Sequence, residues 1–196
     1  MSLLHPTRPS AGHPELVEAP GKMLTHTAAR ALAVLRVATG FVFLWAFFDK
    51  TFGWHYSTAS GKAWIHGGSP TKGFLASVDV GPLQSTFHTM AGTWYADWLF
   101  MLGLLGIGVA LILGVTMRIA AIAGVILMAF MWLAEFPIAQ HTSAGAASGS
   151  VNPLVDYHVI YAIVMVVLAA TYAGMTWGLG RLWARVPFVQ RHRWLI

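Results

Sequence analysis

The stretch GIGVALILGVTMRIAAIAGVILM, residues 106–128, contains two apolar segments separated by only four residues, Val115 to Arg118. So short a connection forces two helices to run antiparallel as neighbours. Small residues recur in both segments, a composition that lets helix backbones approach closely in lipid. They are Gly106, Ala110 and Gly114 in the first segment and Ala120 and Gly124 in the second. The stretch therefore predicts a hairpin of two membrane-spanning helices.

The composition of the whole chain agrees with a membrane domain. Of 196 residues, 57% are hydrophobic and only 10% are charged, which is too apolar for an ordinary soluble domain. Four stretches reach the roughly 20 apolar residues that a spanning helix needs, at about 28–48, 96–114, 119–138 and 157–176. We therefore predict an all-α fold, an integral membrane four-helix bundle.

The charges predict how this bundle is oriented. Lysine and arginine lie before the first span, in the second connection and after the fourth span. The net charge of +5 therefore follows membrane topology and does not indicate binding of nucleic acid. By the positive-inside rule both termini are cytoplasmic, in a multi-pass protein of the cell membrane. Residues 1–27 lack the pattern of a secretion signal and are predicted to be a flexible tail, and residues 177–196 a basic tail on the anionic cytoplasmic leaflet.

The first outer connection is too long to be only a link. Ser69-Pro70 and Gly81-Pro82 are helix-start signals, and tryptophan residues surround them. We expect short interfacial helices that form a lid over the outer end of the bundle. In the third loop, Asn152 is predicted to be the N-cap of the last helix and Pro153 its first residue, so that this helix begins before it enters lipid.

Ionisable residues from three spans are predicted to meet at that outer end. Asp49 and Lys50 end the first span, Glu135 lies near the end of the third, and Asp156 and His158 start the fourth. Glu135 shares a helical face with Trp132, and a carboxylate at that depth needs a cation, for which Lys50 is the nearest candidate. Alternatively, Glu135 only marks the helix end, and Asp156 only complements the helix dipole.

A redox role for these residues requires a bound cofactor. The chain has no cysteine, which excludes disulfides, thiolate nucleophiles and iron–sulfur clusters. His158 shares a stripe with Tyr161, and such a pair can hydrogen-bond a quinone carbonyl and relay a proton, although a satisfied interface histidine explains it equally. No histidine spacing supports a metal, and only His158 lies within a span, as haem ligation would require.

Arg36 lies about two turns inside the first span. It either snorkels to lipid phosphates or is buried against an acidic or carbonyl group.

The predicted site combines these candidate residues. We assign Glu135, His158 and Asp156 to proton transfer. The residues assigned to binding a quinone are Asp49, Lys50, Trp132, Tyr161 and Arg36.

Four blocks of the sequence resemble DoxX-type membrane proteins. LRVATGFVFLWAFFDKTFG resembles their first helix and GIGVALILGVTMRIAAIAGVILM their second and third. NPLVDYHVIYAIVMVVLAATYAG with GLGRLW is most similar to the DoxD-like branch, the membrane subunit of thiosulfate:quinone oxidoreductase. The resemblance implies a four-helix bundle linked to quinone-coupled redox chemistry. It departs from the family in the second helix, where LGLLGIGVAL carries no acid.

The first functional hypothesis is a quinone-binding oxidoreductase subunit that receives electrons from a partner redox protein. The second is a non-catalytic accessory or assembly subunit of a larger membrane complex, for which the lid and the basic tail would be docking surfaces. A small transporter is less favoured, since the charges cluster at one face and do not cross the midplane.

Overall fold

The computed structural model describes residues 25–196, so the predicted N-terminal tail lies almost wholly outside the described part of the chain. Within that part every regular element is helical, which confirms the predicted class. The α-helices are α1 His26–Phe52, α2 Lys72–Ala76, α3 Gln84–Met90, α4 Trp94–Leu113, α5 Met117–Glu135, α6 Tyr157–Ala170, α7 Gly180–Trp183 and α8 Pro187–Arg191. Short 3₁₀ turns lie at Ser60–Lys62, Trp64–His66, Ala173–Met175 and Arg193–Leu195.

Three of these helices are long and apolar enough to cross a membrane, namely α1, α4 and α5. The apolar helix α6 has 14 residues and is about 21 Å long, which is short of a hydrocarbon core of about 30 Å. The predicted fourth span at 157–176 therefore ends as a helix at Ala170. Tyr172 and Trp177 have φ angles of 52° and 51°, in the left-handed region that a helix cannot continue through.

Helices α1 and α4 run antiparallel in close contact because glycines remove the side chains between them. A Cβ on Gly108 would lie 2.6 Å from Leu44 Cγ, and one on Gly40 would lie 2.9 Å from Leu111 Cβ. The predicted role of Gly106 in helix packing is wrong, since a Cβ there would meet no atom within 4 Å. The glycine of α4 that makes the close contact is Gly108, two residues after the predicted one.

Helices α5 and α6 also run antiparallel, and the chain after α6 continues along the remainder of α5. Glu135 and Asp156 meet at one end, Gly124 packs on Met165 in the middle, and Arg118 donates to the Tyr172 hydroxyl at the other end. Between the two helix pairs lies one apolar core, whose fully buried members include Met101, Leu111, Met165 and Leu168. The chain from 156 to 172 thus covers most of the length of α5, although its last two residues are not α-helical.

The long connection between α1 and α4 forms the expected short helices at one end of the bundle. Helices α2 and α3 begin two residues after Pro70 and Pro82. They pack Leu75, Val78 and Phe87 against Ala134 near the end of α5. We call this α2–α3 unit the lid, and it lies beside the residues of the predicted site.

Candidate functional site

The ends of α5 and α6 place the predicted acids side by side. Helix α5 stops at Glu135 because Phe136 has a φ of 40° and Pro137 follows it. Helix α6 starts after Asp156, whose side chain caps it by accepting the Val159 N–H at 3.1 Å. The predicted N-cap Asn152 is wrong, because its side chain accepts the N–H groups of Leu154 and Val155 in a separate turn.

These helix ends bring together two carboxylates, an imidazole and a phenol. Potential ligand atoms of Glu135, Asp156 and His158 all lie within 4.8 Å of one another. The Tyr157 hydroxyl donates a 2.7 Å hydrogen bond to Glu135 Oε1. We call Glu135, Asp156, Tyr157 and His158 the acid–imidazole cluster. Two oxygens and a nitrogen at this separation are also a donor set that a divalent cation could accept.

His158 is the most buried member of the acid–imidazole cluster, at 1% exposure. Its Nδ1 lies 2.8 Å from Asp156 Oδ2. Because an ionised carboxylate can only accept a hydrogen bond, Nδ1 carries a hydrogen and donates it in a hydrogen bond to Asp156. Nε2 is buried and has no hydrogen-bond partner among residues 25–196. A buried imidazole therefore has one nitrogen fixed by a carboxylate and the other free to meet an added group.

Asp156 is held in its ionised form by the same contacts. Burial acts to raise the pKa of Asp156, but hydrogen bonds from the His158 imidazole and the Val159 N–H outweigh it, and the pKa lies below its ordinary value. The carboxylate is thus a permanent acceptor at neutral pH. It both caps α6 and orients the imidazole.

Two aromatic residues predicted for the site lie on the same helices. Trp132 lies one turn before Glu135 on α5, and its indole nitrogen is also buried without a partner in the described chain. Tyr161 lies one turn after His158 on α6, where its ring meets the Phe43 ring edge-on at 6.4 Å. Tyr161 is therefore next to the acid–imidazole cluster but packs against the core.

The structure does not bring Asp49 or Lys50 into this cluster. Asp49 is buried and accepts hydrogen bonds from the Tyr56 N–H and from the Ser57 N–H and hydroxyl. The expected pairing of Lys50 with Glu135 is wrong, because no lysine or arginine within residues 25–196 forms an ion pair with a carboxylate. Lys50 Nζ instead lies 5.9 Å from the centre of the Phe100 ring.

Arg36 lies at the opposite end of the bundle, fully buried. Its Nη1 donates to the carbonyls of Leu111 and Ile112, the latter at 2.8 Å. Its Nη2 donates to the carbonyls of Trp177 at 3.0 Å and Thr176 at 3.4 Å. These are the last carbonyls of α4 and those of the chain break after α6, so the guanidinium joins three segments at once.

Two residues at the lid end were not predicted from the sequence. Tyr157 stands between Asp156 and His158, and its distance in sequence from Glu135 gave no sign of their contact. Asp97, in the first turn of α4, accepts hydrogen bonds from the Ser69 hydroxyl and from the N–H and hydroxyl of Thr71, and so anchors the start of the lid. A carboxylate in the first turn after Thr93 was the available signal.

The lid is also tied to the loop between α5 and α6. The hydroxyl and N–H of Ser143 both donate to the Asp79 carboxylate, and these two bonds lower the pKa of Asp79. Since the folded pKa is the lower one, the tie is fully present above the ordinary carboxyl pKa of about 4 and is lost as pH falls through the folded value.

We expect Asp79→Asn to free this loop at neutral pH, because the amide replaces a charged acceptor of two hydrogen bonds. Hydrogen exchange should show a lower protection factor for the Ser143 amide, with the rest of α5 and α6 unchanged. Ser148→Ala, which removes a different hydroxyl of the same loop, serves as the control. Equal protection in wild-type and Asp79→Asn protein would contradict the tie.

Comparison with known proteins gives one family match. The profile of the DoxX family matches residues 31–136, more than half of the chain. The matched part includes α4, α5 and most of α1, and it contains Glu135 but neither Asp156 nor His158. Searches of curated proteins and of solved structures returned no match.

Proposed function

Because the chain belongs to the DoxX family of membrane proteins, we propose that it is the membrane subunit of a quinone-linked oxidoreductase, of the DoxD-like branch. A quinone head group binds at the acid–imidazole cluster. A partner redox protein or a larger membrane complex supplies the electrons. The observation that carries this proposal is the buried His158, with Nδ1 fixed by Asp156 and Nε2 without a partner.

A quinone carbonyl needs a hydrogen-bond donor, and reduction of a quinone to the quinol takes up two electrons from the partner and two protons. Protonation of Nε2 turns His158 into a donor, and Asp156 stabilises the resulting imidazolium. The indole N–H of Trp132, at the same end of α5, is a second available donor. Glu135 is exposed and hydrogen-bonded to Tyr157, so it provides the exchange of protons with the outer aqueous phase.

The proposal includes four crossings of the cell membrane with both termini cytoplasmic. Three crossings are supplied by α1, α4 and α5. The fourth is made by α6 together with the irregular segment after it, since the chain from Asp156 to Tyr172 contacts α5 from Glu135 to Arg118. A break in a helix inside a membrane leaves carbonyls that need hydrogen-bond donors. Arg36 supplies these donors to the Thr176 and Trp177 carbonyls.

Binding of decylubiquinone to the purified protein in lipid nanodiscs tests this site. We expect His158→Gln to raise the dissociation constant roughly 10- to 100-fold, the worth of one hydrogen bond to a charged group. Glu135→Gln should raise the dissociation constant less than His158→Gln does, because Glu135 is exposed. His66→Gln, which alters a histidine at the same end that bonds Ser60, is the matched control.

Unchanged affinity in both His158→Gln and Glu135→Gln protein, with wild-type thermal stability, would rule out the cluster as a quinone site. A stable partner protein that co-purifies without any bound quinone would instead favour the accessory-subunit function. The two functions are therefore separated by one preparation, in which quinone content and partner content are both measured.

A further inference from the structure

The C-terminal segment is a folded part of the bundle end and does not extend away from it. We call residues 177–196 the C-terminal cap. It is attached by a 2.7 Å hydrogen bond from the Leu179 N–H to the Leu113 carbonyl, at the end of α4. The cap residues Val189 and Leu195 are buried on its inner side. The Trp183 indole N–H donates to the Leu195 carbonyl at 3.0 Å. The cap therefore has a fixed inner face and a defined outer face.

The outer face of the C-terminal cap combines apolar and basic side chains. Leu182 and Phe188 are each 59% exposed and Trp194 is 52% exposed. In α8, Phe188 and Arg191 are three residues apart and share a face, whereas Val189 points inward. Exposed apolar side chains interleaved with arginine are typical of segments that lie in a membrane interface.

The charges of the described chain are separated between the two ends of the bundle. Its aspartate and glutamate side chains all lie at the lid end, in α1 after Phe48, the lid, the first turn of α4 and the acid–imidazole cluster. Its arginines all lie at the other end, and its lysines at the lid end. The arginines are Arg30, Arg36, Arg118, Arg181, Arg185, Arg191 and Arg193.

The cap arginines consequently have no carboxylate partner within residues 25–196. Arg181 Nε donates to the Met175 carbonyl, which leaves its outer nitrogens free of protein partners in the described chain. A guanidinium presents a planar pair of donors that matches a phosphate group, and it is the usual protein partner of phosphate at surfaces.

We propose that the outer face of the C-terminal cap binds the phosphates of anionic phospholipids in the adjacent leaflet. The arginines bind the headgroups, while Leu182, Phe188 and Trp194 enter the boundary between headgroups and acyl chains. Anionic lipid is favoured over an acidic protein because the exposed apolar residues alternate with the arginines at the level where the spans end. This proposal is independent of the quinone site at the other end.

The experiment measures which lipids remain bound to the full chain. The protein is reconstituted in equal parts of phosphatidylcholine and phosphatidylglycerol, extracted in mild detergent, and its retained lipids are quantified. We expect phosphatidylglycerol to be enriched, with an enrichment that falls as sodium chloride is added. Removing the charge of Arg181, Arg185, Arg191 and Arg193 by substitution with Gln should reduce the enrichment, by roughly fivefold per arginine at most.

Lys62→Gln with Lys72→Gln removes two charges at the lid end and is the control, expected to keep the enrichment. Phe188→Ser and Trp194→Ser test the apolar part, and should reduce retention without abolishing its salt dependence. Enrichment that survives the arginine substitutions, or that the lysine control removes equally, would overturn the proposal. Loss of an acidic co-purifying protein in the arginine variant, with lipid retention unchanged, would overturn it in favour of a protein partner.

Discussion

Replacing Arg36 with methionine is expected to lower the free energy of unfolding by about 3–5 kcal/mol, because several backbone carbonyls lose a charged donor at once. The guanidinium donates to four backbone carbonyls from the end of α4 and from the break after α6. Methionine fills similar volume but donates nothing. Each buried carbonyl left without a donor costs about 1–3 kcal/mol.

This case differs from buried ion pairs that can be replaced entirely by apolar residues. There both charged partners are removed together, and the change can even stabilise the protein. The partners of Arg36 are main-chain carbonyls, which no side-chain substitution removes. Arg36→Lys should give an intermediate loss, since one ammonium group cannot reproduce the planar fork that spans carbonyls of two segments.

Thermal unfolding in nanodiscs measures these losses. Arg30→Gln is the matched control, because it removes an exposed arginine from the same helix near the same end of the bundle. We expect a melting temperature for Arg30→Gln close to that of the wild type. An Arg36→Met protein as stable as the Arg30→Gln control would show that the carbonyls find other partners.

Gly174→Ala is expected to destabilise the protein by about 3 kcal/mol, at the upper end of the cost of overpacking. A Cβ at this position would lie 2.2 Å from the carbonyl oxygen of Gly114 and 2.9 Å from its carbonyl carbon. Both atoms belong to the main chain at the end of α4, so no change of rotamer relieves the clash. The whole segment after α6 would have to move away, and with it the carbonyls that bind Arg36.

The same thermal-unfolding measurement includes two comparisons. Gly106→Ala adds the same methyl group where no atom lies within 4 Å, and should be neutral or slightly stabilising, because alanine favours a helix over glycine. Gly124→Ala would contact the Met165 side chain, which can shift, so its loss should lie between the other two. Equal stability of the Gly174→Ala and Gly106→Ala proteins would refute the close backbone contact.

The sequence predicted the helical class and the positions of three long helices to within a few residues, because apolar length is what hydropathy measures. It did not predict the end of α6. The predicted span included Thr171 to Thr176, and the break there depends on how Gly174 meets Gly114 in three dimensions. Similarly, the repeat of small residues predicted close helix packing along α4. Which glycine makes the contact depends on the position of the partner helix, and it is Gly108 and not Gly106.

The site was predicted in the same uneven way. Glu135, Asp156 and His158 were expected at one end and do lie together, because their depth follows from the helix ends. Asp49 and Lys50 have the same depth but belong to α1, and a sequence gives depth without giving the angular position around the bundle. The Asp49 carboxylate instead accepts hydrogen bonds from N–H groups of the following loop. The pattern of charges in the sequence does not reveal such a local contact.

The Arg36 contacts also constrain the order of assembly as the chain is made. Its carbonyl partners lie 75, 76, 140 and 141 residues further along the chain. Since the N-terminal part emerges first from the ribosome, α1 enters the bilayer carrying a cation whose final partners have not yet been translated. The last two carbonyls arrive only with Thr176 and Trp177, so the native arrangement of this arginine is completed long after α1 has been synthesised.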